Sequence, residues 1–195
     1  MATWVTDVRD ILPSQEGADA KKPAARRSEL TREIVEAATS WRIEGSWCSA
    51  VRCIARVGRR ACGARIHVGR PAPGQVEWTC KACGERGVIT GFEGTELDMS
   101  AYVPHKKKLR MWGFDDEGRQ VLVDATTHVP SLRAIVMRAS PAAEVQGLLL
   151  LQATVDELDE IYTLVEQLTN ATRSRRRIEL LDGMRADLCS AMDGF

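Results

Sequence analysis

The 195-residue chain has no net formal charge, only 5% aromatic residues and three histidines, and no uninterrupted apolar run exceeds four residues, as in Leu148–Leu151. A membrane span needs about 20 apolar residues, so none is predicted and no membrane partner is expected. Residues 1–17, MATWVTDVRDILPSQEG, lack the basic start and apolar block of a secretory signal. Together these absences predict a cytoplasmic protein with reduced thiols, which argues against a disulfide framework for its six cysteines. Catalytic signatures are missing too. There is no G-x-S-x-G, no phosphate-binding glycine loop and no H-E-x-x-H. A nucleobase deaminase needs His-x-Glu ahead of Pro-Cys-x-x-Cys; here Thr79 precedes Cys80, and His67 is followed by Val68-Gly69. Asp156, Glu157, Asp159 and Glu160 cluster where a helix should start, and carboxylates there complement the helix dipole. The expectation is a protein that is not an enzyme.

What the chain does have is five cysteines within 36 residues, at 48, 53, 62, 80 and 83, with a sixth at 189. Cys80-Lys81-Ala82-Cys83-Gly84 is a metal knuckle: two thiolates on one tight turn can grip a tetrahedral ion. The glycine behind it permits φ > 0, so that backbone N–H groups point at the sulfurs. Cys53 and Cys62 frame the basic loop IARVGRRA, and Cys62-Gly63 makes a looser second knuckle. The predicted ligand set is therefore Cys53, Cys62, Cys80 and Cys83, holding one structural Zn2+. Cys48, five residues before Cys53, is the competing fourth ligand; on a strand the two face opposite sides, which favours Cys53. Cys189 falls on a helical apolar face and is expected in a core.

The segments CxxxxGRRxCGxRI…GQVEWTCxxCGExGVI and VDELDEIYTLVEQL…RRRIELLDGMRADLC…DGF resemble a group of small, uncharacterised bacterial zinc-ribbon proteins. The resemblance covers roughly residues 30–195 and carries Cys53, Cys62, Cys80 and Cys83 as paired positions. It implies the metal and no activity.

The fold class expected is α+β: a small β-rich zinc ribbon followed by a C-terminal antiparallel helical hairpin. Residues 11–28, rich in Ala, Lys, Arg and Pro, read as a flexible stretch, so 1–28 is assigned to an arm. Residues 29–126 are assigned to a short helix from Ser28 plus the ribbon, with strands near 47–57, 64–69, 75–79 and 87–92. A further hairpin is expected at 109–114 and 120–124, around Asp115-Asp116-Glu117-Gly118. In 127–195, residues 131–139 read as a helix, and Thr154-Val155-Asp156-Glu157 forms a capping box. Two helices follow, joined near 169–172, with apolar residues on more than one seam. Either the strand around Leu148–Leu151 covers the outer seam, taking most of its area, or a second copy does, giving a homodimer through these helices.

Charge is uneven. Residues 1–110 hold 19 Lys+Arg against 13 Asp+Glu, and residues 111–195 hold 8 against 14. Arg52, Arg56, Arg59, Arg60, Arg65 and Arg70 fall within nineteen residues with no acid among them, and Lys106, Lys107, Lys108 and Arg110 form a second run. Seven of the ten aromatics lie between 41 and 114. Cations for phosphates and ring faces for bases are what nucleic-acid binding requires. The expected contacts are Arg52, Arg56, Arg59, Arg60 and Arg65. The expected role is a regulatory or accessory protein binding nucleic acid, with a protein–protein adaptor carrying a purely structural zinc as the alternative.

Overall fold

The computed structural model describes residues 3–11, 22–41, 45–103 and 109–193, with side chains described from residue 25 onward in the first helix. The fold is mixed α and β, in two compact units, 1–103 and 104–195. The boundary lies earlier than the expected 126/127 because residues 110–114 pair with 149–153, inside the second unit. With the boundary at 103, Lys106, Lys107, Lys108 and Arg110 leave the first unit, which keeps 15 basic against 13 acidic residues. Its basic character is thus local. Lys106, Lys107 and Lys108 lie outside the described residues.

The first unit is a five-stranded sheet backed by a helix. β1 (Thr3–Asp7), β2 (Ser46–Arg52), β5 (Arg65–Ala72), β6 (Gln75–Thr79) and β7 (Arg86–Thr90) lie in the order β1-β7-β6-β5-β2. β1 joins β7 in parallel, and the other pairs are antiparallel. Between β2 and β5 the chain makes a small hairpin of β3 (Arg56–Val57) and β4 (Arg60–Ala61). β6 alternates as a half-buried strand does, with Val76 and Trp78 buried against an exposed Glu77. α1 (Lys22–Thr39) packs on β2, β5 and β6. Its buried side, Leu30, Ile34, Val35, Ala37 and Ala38, recurs at helical spacing, and Ala50, Val51, Ile66, Val68 and Val76 are the buried strand residues. Each Val or Ile so buried contributes about 1.5–3 kcal/mol.

α1 starts six residues before the expected Ser28, so the expected arm begins as β1 and ends as helix. Pro23 suits a first helical turn, and Ala24, Ala25, Arg26 and Arg27 are strong helix formers. Residues 12–21 of the arm lie outside the described residues. The helix ends where Thr39 and Ser40 turn their hydroxyls back onto carbonyls, Thr39 Oγ1 to Val35 at 2.8 Å and Ser40 Oγ to Ala37 at 3.0 Å. Thr39 Oγ1 also accepts from the Met99 N–H at 3.0 Å, pinning the 3-10 turn at Met99–Tyr102.

In the second unit, β8 (Arg110–Phe114), β9 (Ser140–Pro141) and β10 (Leu149–Ala153) form an antiparallel sheet in the order β8-β10-β9. The expected second strand at 120–124 is instead part of α2 (Asp116–Ala125). Asp115 decides this: its carboxylate accepts from the Gly118 N–H at 2.7 Å as an N-cap, with Asp116 and Glu117 in the first turn. α3 (Pro130–Met137) follows after a four-residue turn. The capping box of α4 (Val155–Ala171) is present in both directions, Glu157 N–H to Thr154 Oγ1 at 3.2 Å and Thr154 N–H to Glu157 Oε2 at 2.8 Å. Glu157 Oε1 also receives Nη1 of Arg138 at 2.8 Å, and that arginine side chain is only 1% exposed. α4 and α5 (Arg175–Asp193) pack together as a hairpin, with α5 also against β8 and α4 against α3. β8, paired with β10, lies against α5, and Leu149 and Leu151 of β10 are fully buried. Among the described residues of the two helices, Val155 is the one large apolar side chain left exposed, while Tyr162, Leu164, Leu168, Ile178 and Leu180 are half-buried.

Candidate metal centre and its basic tip

The two knuckles form at one end of the five-stranded sheet. Cys53 leaves β2, Cys62 follows β4, and Cys80 and Cys83 sit in the turn from β6 to β7. Three backbone bonds close the first knuckle: Cys53 N–H to Ala64 at 2.8 Å, Cys62 N–H to Ala55 at 2.8 Å and Gly63 N–H to Cys53 at 3.1 Å. The second is closed by Cys80 N–H to Glu85 at 2.7 Å and Gly84 N–H to Cys80 at 2.9 Å. Gly63 and Gly84 follow the last cysteine of each knuckle with φ of 65° and 76°, a region a Cβ would disfavour.

The sulfurs of Cys53, Cys62, Cys80 and Cys83 all lie within 4.8 Å of one another, an arrangement that can hold a metal ion. Cys53 Sγ is 3.7 Å from Cys83 Sγ, and Cys62 Sγ is 3.7 Å from Cys80 Sγ. Both are far beyond the roughly 2.05 Å of a disulfide. Backbone donors aim at the cluster. Burial opposes a thiolate at Cys80, but the N–H groups of Cys83 and Ala82, helped by the Cys83 and Cys62 thiols, outweigh it and lower its pKa. Burial raises Cys53 and Cys83. Cys48 is outside the group: it pairs with His67 across β2 and β5, half-buried, and burial raises its pKa. Cys189, expected in a core, is exposed, because Leu181, Met184 and Leu188 define the buried face of α5 and the next residue turns away from it.

The five arginines expected on nucleic acid divide into two sets. Arg52 and Arg65 brace the strands, Arg52 Nη1 donating to the Gly63 carbonyl at 2.8 Å and Arg65 Nη1 to that of Ala50. Arg56, Arg59 and Arg60 are exposed on the β3–β4 hairpin, and no acidic group among the described residues pairs with them. Lys81 is exposed on the opposing knuckle. The four-cysteine cluster therefore lies at the base of a cationic tip.

Behind the tip, on the α1 side of the sheet, lies a cleft of about 600 Å3 lined by Trp4, Arg26, Arg27, Leu30, Cys53, Ile54, Ala55, Arg56, Trp78 and Glu85. Trp4 and Trp78 meet edge to face with centroids 6.4 Å apart, and the Arg27 guanidinium lies 4.5 Å from the Trp4 ring centre. Gly87 is the seat of the pair. A Cβ there would come within 2.6 Å of Trp78 Nε1 and 2.8 Å of the Trp4 carbonyl. Trp4, Arg26, Arg27 and Glu85 were not among the expected site residues. Three of them belong to the stretch assigned to an arm, and only their aromatic and basic character hints at a role.

A larger cavity of about 720 Å3 lies against the sheet, where Glu77 stands among Arg70, Arg86, His67 and Thr79. In the second unit, α2, its turn and α3 follow the order of a helix-turn-helix. α3 is not built to read a groove: Arg133 and Arg138 are buried, and Arg133 Nη1 donates to the Val123 carbonyl at 2.7 Å. The chain matches no known family model, no curated protein and no solved structure.

Proposed function

We propose that the first unit is a zinc-stabilised nucleic-acid-binding module and that the protein is a non-enzymatic regulatory or accessory factor. The observation that carries this reading is the exposed trio Arg56, Arg59 and Arg60, without acidic partners among the described residues, on a hairpin braced by the four-cysteine cluster. Cations left unpaired on a rigid support suit a phosphate backbone. Zinc is the fitting ion. Four sulfurs about 2.3 Å from a tetrahedral zinc lie about 3.8 Å apart, and the Cys53–Cys83 and Cys62–Cys80 pairs stand at 3.7 Å. Four thiolates close the coordination shell, which gives the metal a structural role. An adaptor function is the second reading, favoured by Val57, 60% exposed in the same hairpin, where a protein partner would cover it.

The test is the salt dependence of binding to a labelled single-stranded 20-mer and to a duplex. Arg56→Ala, Arg59→Ala and Arg60→Ala together should flatten the log–log slope by about two units on the single strand and nearly three on the duplex. Equal slopes for wild type and triple variant would remove the tip from the interface. Absence of binding to either probe would favour the adaptor.

A further inference from the structure

We propose that the cleft behind the metal knuckle is a guanine pocket, taking one unpaired guanine base with its phosphate. The inference rests on the nucleic-acid reading and deepens it. The cleft's dimensions suit one nucleotide, within the 300–1,000 Å3 range of small-molecule sites at about 600 Å3. Its chemistry is divided in the way a nucleotide is. Half-buried Trp4 offers ring surface, backed by the buried Trp78, and Arg27, already held against Trp4, extends it with a planar guanidinium. Arg26 and Arg56 are exposed cations at the rim, placed for a phosphate, and Arg56 is continuous with the tip.

Glu85 supplies the selectivity. Glu85 lines the cleft, and its Oε2 is buried without a hydrogen-bond partner among the described residues. An orphaned buried acceptor is costly and is relieved by a ligand that donates. Guanine alone among the common bases presents two adjacent donors, N1–H and the N2 amine, to one carboxylate. Adenine and cytosine offer an amine beside an acceptor, and uracil offers a single imino N–H. A strand tracking the cationic tip would thus deliver one base into the cleft. Free guanosine monophosphate has the same chemistry, and the two sources differ in what the tip adds.

The experiment uses the full-length, zinc-loaded protein and fluorescence anisotropy with labelled RNA heptamers, three uridines on each side of a central guanine, adenine or cytosine. Guanosine 5′-monophosphate serves as competitor. The guanine heptamer should bind tighter than the others by roughly fivefold or more, the scale of one bidentate contact. Glu85→Gln should remove that preference at unchanged zinc content. Trp4→Ala should weaken all heptamers on the order of tenfold, as loss of a stacking ring does. Competition by the monophosphate at the heptamer's own affinity would identify the free nucleotide as the ligand, and far weaker competition would identify the strand. Heptamers that bind equally whatever the central base, and that Glu85→Gln does not re-rank, would overturn the pocket. If the tip variant still weakens them, the nucleic-acid reading stands without it. Absence of binding to every probe would overturn both.

Discussion

The two units reach stability by different routes. The first places its four thiols at one end of a sheet whose helical cover lies on β2, β5 and β6, while the β3–β4 hairpin has no buried side chain. The second has no such cluster among its described residues and relies on caps, packed helices and the enclosed Arg138–Glu157 pair. A two-stranded hairpin with no core of its own is marginal in water, so in the proposed reading a metal on the four thiols would supply the order at the tip. The comparison teaches where the exposed chemistry can sit. The tip beside the four-cysteine cluster carries exposed arginines and no acid, whereas in the second unit Arg133 of α3 and Arg138 just after it are used inside the fold.

The largest effect expected separates the units outright. Chelation, or Cys80→Ser, should remove about 10 kcal/mol or more of coupled metal and folding energy. In a nitrogen–proton correlation spectrum, resonances of residues 46–90 should collapse while those of 110–193 keep their positions. Collapse of both sets would erase the distinction. The reciprocal change is Glu157→Ala, which strands the buried Arg138 charge and uncaps α4. It should destabilise the second unit by about 3–5 kcal/mol, read by denaturant melting, with zinc content unaltered. Asp115→Ala removes one helix cap and should cost about 1 kcal/mol, with less α2 helicity but an intact sheet. A cost near zero would mean that α2 is held by packing alone.

The smallest effect is a titration. Burial, with the nearby Lys81 charge, lowers the pKa of His67 below the ordinary 6.5. The native state therefore favours the neutral ring. Its contribution to stability is present above about pH 6.5 and is lost as pH falls through the lowered native value, since the unfolded chain takes up the proton first. The ring's proton shifts should show a midpoint below 6.5 in the folded protein. A midpoint at or above 6.5 would contradict the environment described for that strand.

Local signals were legible in the sequence. The knuckle glycines, the capping box at Thr154 and the grouping of the four cysteines each follow from short-range spacing, and each is found where the spacing predicts. What was not legible depended on partners far along the chain or on competing local chemistry. β1 is a strand because β7 lies beside it, some 80 residues later, which no local pattern in TWVTD announces. Asp115-Asp116-Glu117-Gly118 satisfies both a turn and a helix start, and β8 pairing with β10 instead of 120–124 settles it. Cys189 was misplaced by a single residue of helical phase. The division of the arginines was beyond the sequence for the same reason: whether a guanidinium reaches a carbonyl, as Arg52 and Arg65 do, is a matter of tertiary distance.

The central claim is that a metal centre organises a surface for nucleic acid, and one titration tests it most directly. Metal-free, reduced protein is mixed with a labelled single-stranded 20-mer at low salt, and anisotropy is followed as Zn2+ is added. The account predicts little binding at the start, a rise with added metal and a break at one equivalent per chain. Binding that is full before any zinc is added, or that never appears after one equivalent, would contradict it.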